Sequence, residues 1–227
     1  MFSLFIGPHV FSRKKAIMFR WTRIRLRTAF VLSGVLCLWL SHVSKQAKDQ
    51  MLAVGWVESL GGSVGYDAYV SESRLMPTWF RDKLGVDYFD TVRSVEFRYG
   101  CLENLSGLEE LTRITHLDLC NSRVVALGPM ARLQNLQVLK LSNTRVTDVS
   151  PLSNLNELVL LKIDGTRVSD ISSLARLRNL KILNLRDSQV VDVSPLKNLK
   201  ALEILVMPAN AVGVEILKKE LPGCEFW

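Results

Sequence analysis

The chain has 227 residues, 48% of them hydrophobic, and a formal net charge of +7. The charge is uneven: residues 1–50 hold nine Lys/Arg and one acid, whereas the remainder holds 20 Lys/Arg against 21 Asp/Glu. A near-neutral body argues against a nucleic-acid partner, which needs a basic face on the folded part. Three scattered histidines and four cysteines without a C-x-x-C pair argue against a metal site.

The predicted elements begin at "RWTRIRLRTAFVLSGVLCLWLSHVSKQAKDQ", Arg20 to Gln50. Its alternating arginines run into an apolar stretch, Ala29–Leu40, and no acid precedes Asp49. The uncharged segment Thr28–Val43 is 16 residues long. As a helix it measures about 24 Å, against about 30 Å for a bilayer core. Snorkelling of Arg25 and Arg27 adds Ile24 and Leu26 to the span. Two readings fit, a cleaved secretory signal and an uncleaved signal anchor. "LSHVSKQAK" offers no small-x-small cleavage site, and "GVL" before Cys37 is a poor lipoprotein signal, so the anchor is preferred. Either way the basic side stays in the cytoplasm and the rest is exported. Residues 1–17 stand apart from this plan, and translation is expected to start at Met18.

Next comes "AKDQMLAVGWVESLGG", an amphipathic helix stopped by Gly61 and Gly62. "SVGYDAYV" reads as a short strand, and Trp79, Phe80, Tyr88 and Phe89 are placed to cover an open core layer.

From there the chain repeats itself. Leu117, Leu139, Leu161, Leu183 and Leu205 are spaced by 22 residues, with Val95 one step before and Trp227 one step after. Ile114, Leu136, Leu158, Leu180 and Leu202 keep the same step, from Val92 to Cys224. So do Val124, Val146, Val168, Val190 and Val212. An L-x-x-L-x-L pattern with a period of 20–29 residues is that of a leucine-rich repeat. Each unit reads as a short strand such as "VLKLS", a turn, and a compact helical segment. One unit cannot bury its own leucines, but stacked units bury them in a continuous column. The sequence repeats because the packing problem repeats.

In the turns, Ser122, Thr144, Thr166, Ser188 and Asn210 form a column whose side chains can bond the backbone. Ser150 suits a helix N-cap and Pro151 the first helical position. Asp148, Asp170 and Asp192 are expected to bond the same turns, since one carboxylate per repeat is too sparse for calcium. Cys101 and Cys120 lie in adjacent repeats; the spacing admits a disulfide, and small half-buried thiols are the simpler reading. At the end, "AVGVEILKKELPGCEFW" reads as a longer helix and a last half-repeat strand, with Cys224 and Trp227 in core columns.

The pattern L-x-x-L-x-L-x-x-T-x-V-x-D-V-x-P-L resembles the 22-residue repeats of internalin-like bacterial proteins. From Met18 to Trp227 the arrangement also resembles the anchored leucine-rich-repeat proteins of planctomycete bacteria. The shared features are the Arg-rich start, one apolar helix, "ESLGGSVGYD", "WFRDKLGVDYF" and the "LPGCEF" tail. The resemblance implies a binding module. The first repeat, "VEFRYGCLENLSGL", departs from it by lacking the T-x-V-x-D signature.

The expected fold is an α/β leucine-rich-repeat solenoid with capping segments and an N-terminal transmembrane helix. Its parts are a detached extension (1–17), a basic cytoplasmic segment (18–27), a signal anchor (28–43), a linker helix and N-terminal cap (44–92), the repeats (93–212) and a C-terminal cap (213–227).

Three rows of side chains are expected on the sheet face turned away from the core. The first is Ser94, His116, Val138, Leu160, Ile182, Ile204; the second is Glu96, Asp118, Lys140, Lys162, Asn184, Val206. The third is Arg98, Cys120, Ser142, Asp164, Arg186, Pro208. Strands about 4.8 Å apart make this a strip of about 24 Å. An apolar row with a polar margin fits a protein-contact surface; the competing reading is a row covered by neighbouring turns. The candidate partner-binding residues are therefore Val138, Leu160, Ile182, Ile204, Lys140, Lys162, Asp118, Asp164 and Arg186.

The expected function is a membrane-tethered module binding a protein on the exported side. Alternatives are a structural or glycan-binding envelope component and a regulatory subunit of another enzyme. Catalysis is not expected: only His116 lies beyond the anchor, no nucleophile–base set or Gly-rich phosphate loop is present, and Glu109–Glu110 read as a solvated pair. No cofactor is implied.

Overall fold

A computed structural model describes residues 41, 44–66, 91–97 and 102–227. The residues from Ala47 onward form one compact unit. The expected span 28–43 lies outside the described residues apart from Ser41, and so do Trp79, Phe80, Tyr88, Phe89, Arg98 and Cys101. Among the described residues no helix is long and apolar enough to cross a membrane.

An α-helix (44–59) leads in and ends at Gly61, whose φ of 74° is the left-handed conformation that glycine supplies without a Cβ clash. β1 (Gly62–Tyr66) follows and pairs antiparallel with β2 (Val92–Phe97). Then come β3 (His116–Asp118), β4 (Val138–Lys140), β5 (Leu160–Lys162), β6 (Ile182–Asn184) and β7 (Ile204–Val206). After a second α-helix (Val214–Glu220), β8 (Glu225–Phe226) closes an eight-stranded sheet ordered β1 to β8. From β2 to β8 every pairing is parallel, so this is a solenoid in which each strand bonds the strand one repeat away.

The compact helical segments resolve as short 3-10 turns. Four of them, Gly128–Arg132, Ser150–Asn154, Ser172–Arg176 and Ser194–Asn198, hold five residues, and Leu108–Glu110 holds three. Five residues are too few for an α-helical nucleus to recover its entropy. They close with tighter i→i+3 bonds instead, as from Leu155 N to Leu152 O at 3.0 Å. The one α-helix after the strands begin is the C-terminal one among the described residues.

The leucine columns are the core. Leu117, Leu139, Leu161, Leu183 and Leu205 are at most 1% exposed, as are Val124, Val146, Val168 and Val190. Val212 breaks its column and stands 53% exposed, because beside it the short helix replaces the usual return. Leu217, one place short of the repeat step, is fully buried. Ala53, Val54 and Val57 of the first helix close the other end of the core, and Trp56 meets Phe97 edge-on at 6.0 Å.

Two turn expectations change. Ser150 starts its 3-10 turn but is not its cap; the Asp148 carboxylate accepts bonds from Ser150 N and Ser150 Oγ, both at 2.8 Å. Asp170 and Asp192 hold Ser172 and Ser194 in the same way. The hydroxyl column is uneven. Thr144 Oγ1 donates to Leu141 O at 2.8 Å and Thr166 Oγ1 to Ile163 O at 2.6 Å. Ser122 Oγ is buried and bonds nothing among the described residues.

The C-terminal register also differs from the 22-residue step. Cys224 keeps it, its N–H bonding Leu221 O as Leu202 N–H bonds Leu199 O. After that one residue is lost: Ile204 pairs with Glu225 and Leu205 with Phe226. Phe226 therefore packs on the core, and Trp227, expected there, is 70% exposed.

Candidate functional site

Strand geometry sends alternate side chains to opposite faces. In β4 to β7 the central leucine faces the core, and its two neighbours face away. The ladder holds these neighbours in register across repeats. Ser94, His116, Val138, Leu160, Ile182 and Ile204 pair in sequence, as do Glu96, Asp118, Lys140, Lys162, Asn184 and Val206. Val138, Leu160, Ile182 and Ile204 are each half-buried, so the row is neither core nor roofed by the turns.

The polar margin carries its own bonds. Lys140 Nζ meets Asp118 Oδ2 at 2.9 Å, and Cys120 N–H donates to Asp118 Oδ1 at 3.1 Å. Burial alone would raise the Asp118 carboxyl; the bonds from Lys140 and Cys120 outweigh it and hold it below the usual carboxylate range. Asp164 Oδ1 accepts from Ser142 Oγ at 2.8 Å and Asn184 Nδ2 at 3.0 Å, tying three repeats together. Lys162 and Arg186 make no ion pair among the described residues. Cys120 is a free thiol whose pKa burial raises, and Cys101, its conceivable disulfide partner, lies outside the described residues. Pro208, placed in the third row, is buried.

The sequence-predicted strand residues therefore share the outer sheet face, with Asp164 and Arg186 just past β5 and β6; Asp118 and Lys140 pair with each other, Asp164 is held by neutral donors, and Lys162 and Arg186 make no ion pair among the described residues. An open hollow bordered by Ala175, Arg178, Asn198 and Lys200 lies among the turns instead, and Lys200 is engaged by Glu220 at 3.1 Å. Among the described residues no cluster of three or more His, Cys, Asp or Glu could hold a metal ion.

One column went unread in the sequence. Asn121, Asn143, Gly165 and Asp187 occupy the same turn position with φ of 59°, 57°, 65° and 55°. Asn, Gly and Asp are the residues that tolerate this conformation, so the signal was present in their identity. Asn143 Nδ2 further donates to Asn121 Oδ1 at 3.1 Å, and a Cβ on Gly165 would collide with Asn143 Oδ1.

A family model for leucine-rich repeats in two copies matches residues 134–176. The matched residues are two leucine-rich repeats, and the solenoid around them is similar to that fold. Among solved structures, internalin C2 from Listeria monocytogenes has a TM-score of 0.57 and 31% identity over 61% of this chain and 62% of its own. The internalin inlF from the same organism has a TM-score of 0.52 and 26% identity over 56% of this chain and 37% of its own. The chain thus spans less than two thirds of either internalin's length. No curated protein matches. Leucine-rich repeats generally act as protein-binding modules.

Proposed function

We propose that the protein is a non-catalytic interaction module that binds a protein partner through the β4–β7 face. The observation that carries this is the in-register row Val138, Leu160, Ile182 and Ile204, half-exposed along a stiff ladder. Such a row loses water when a partner covers it, and the polar margin fixes the partner's orientation. The internalin-like neighbours support a binding role for the fold. The row is aliphatic, so it lacks the flat rings on which sugars stack, which favours a protein over a glycan.

We place the module on the exported side, tethered by residues 28–43. Support comes from the Arg-rich stretch before the apolar run and the lack of acids before Asp49. The same pattern underlies the resemblance to anchored planctomycete proteins.

Proximity labelling from the native protein in its own cells tests both parts. The expected result is recurrent enrichment of one exported protein, lost in Ile182→Asp while the variant stays folded. Enrichment of cytoplasmic proteins alone overturns the topology. If Ile182→Asp unfolds the chain, the row belongs to the core and the interface assignment is wrong.

A further inference from the structure

We infer that the outer face of β4–β7 docks a second copy of this chain, about a two-fold axis parallel to the strands and midway between β5 and β6. This rests on the proposed β4–β7 interface and names its occupant.

Beside the apolar row the charges of both signs balance. From β3 to β7 this side carries Lys140, Lys162 and Arg186 against Asp118, Asp164 and Asp187. Asp118 closes on Lys140 at 2.9 Å. Asp164 accepts from Ser142 and Asn184, neutral donors that leave its charge uncancelled. Lys162 and Arg186 make no ion pair among the described residues. A balanced face selects neither an acidic nor a basic partner. It selects one whose charges run in the opposite order. Asp164 lies just past β5 and Arg186 just past β6, at equivalent places in adjacent repeats. A copy with its strand order reversed presents the same two charges the other way round.

An axis in the plane of contact and along the strands keeps each row opposite itself and reverses the strand order. Placed between β5 and β6, it sets β5 against the copy's β6 and β4 against its β7. Leu160 then faces Ile182 and Val138 faces Ile204, so the apolar row covers itself. In the next row Lys162 faces Asn184 and Lys140 faces Val206. In the third, Asp164 faces Arg186, and the symmetry makes that contact twice. Arg186 adds a fork suited to two-point contact with a carboxylate. Asp187 falls opposite Gly165. At the rim, β8 holds Glu225 in register with Ile204, which sets it against His116, and Asp118 falls opposite Trp227. No like charges meet.

Neighbouring axes do worse. An axis through β5 sets Lys162 on Lys162 and Asp164 on Asp164; one through β6 sets Arg186 on Arg186. Between β4 and β5, Lys140 meets Lys162. Between β6 and β7, Glu225 is pressed on Leu160. Like charges directly opposed are destabilising, so charge selects the register while the apolar row supplies the burial. Six facing strands and three rows make a flat footprint of about 24 by 13 Å, short of the about 800 Å² that each partner buries in a standard interface. The dimer is therefore weak and forms with rising concentration.

Sedimentation velocity of the purified full-length chain in mild detergent, over a wide concentration series, tests this. The variants are Asp164→Arg, Arg186→Asp, an equimolar mixture of those two, and Ile182→Asp. Circular dichroism checks each fold; Asp164→Arg gives up the bonds to Ser142 and Asn184, whereas Arg186→Asp changes an exposed side chain. The expected result is a dimer at the upper concentrations, weakened about tenfold by either charge variant alone. The mixture should recover it, because each copy's two arginines then face the other's two aspartates. Ile182→Asp should abolish it. A chain that stays monomeric throughout overturns the second copy as occupant, while the interface itself stands or falls by the proximity labelling. A dimer lost in Ile182→Asp but unmoved by the charge variants, or not recovered in the mixture, overturns this axis and keeps the face. A dimer that ignores Ile182→Asp as well overturns the inference and puts the contact elsewhere in the chain.

Discussion

Asp148, Asp170 and Asp192 show how a single residue type secures each repeat. Each carboxylate accepts the N–H and the hydroxyl of the serine two residues on. These bonds favour the ionised form and hold all three carboxyls below their ordinary pKa. A depressed folded pKa means stability that is present above the unfolded value, near about 3.9, and lost as pH falls through the folded one. Asp170→Ala is expected to lower Tm at pH 7, with the gap to the parent narrowing at a pH below the ordinary carboxylate range, where the parent's own carboxyl protonates. Thermal unfolding of both proteins at the two pH values checks this. The column was legible in the sequence, because the aspartates recur at fixed spacing. Which atom caps which was not: Ser150 reads as a cap by propensity, yet the turn begins at Ser150, so it donates and Asp148 accepts. Ser122 marks the limit of such reading. It shares its column with Thr144 and Thr166 but reaches no acceptor among the described residues.

At the scale of the strand, three residues suffice because the ladder repeats. β3 to β7 are each three residues long, with the middle one buried and the flanking ones facing out. Leu161 is fully buried between Leu139 and Leu183. Leu161→Ala removes packing that neighbouring repeats cannot refill, and is expected to cost about 2–5 kcal/mol by denaturant unfolding. A neutral result would contradict the column. The 22-residue period made this register readable, since an inward and an outward residue differ by one place. It could not reveal the helical type of the return segments. Their apolar spacing suits a compact turn of either kind, and five residues then favour the 3-10 form. It did place the last half-repeat strand, but could not foresee that β8, held by β7 on one side, slips by one residue.

At the scale of the whole molecule, stability comes from neighbour upon neighbour. Removing one complete unit, residues 142–163, joins Leu141 to Asp164 and keeps every column in step. The shortened chain is expected to fold with a lower Tm, as read by circular dichroism and thermal melting. Failure to fold would mean that the repeats are not interchangeable. The same deletion removes Leu160 and Lys162 from the proposed interface, so partner binding should fall even where the fold survives. The two end covers differ in kind. The first helix brings Val54 and Val57 onto the core, whereas the last brings Leu217 from an irregular place.

The sequence by itself determined the repeat, its period, the identity of the core columns and the residues that share the outer rows. It could do so because a stack of identical units turns spacing along the chain into position in space. Only the tertiary structure decided which charges are spent and which are free. Asp118 and Lys140 are 22 residues apart, and so are Lys140 and Lys162. The first pair closes to 2.9 Å across adjacent strands, which leaves Lys162 without an acid of its own among the described residues. Spacing places these side chains side by side; the bonds each one makes there depend on rotamers, burial and the groups on both flanking strands.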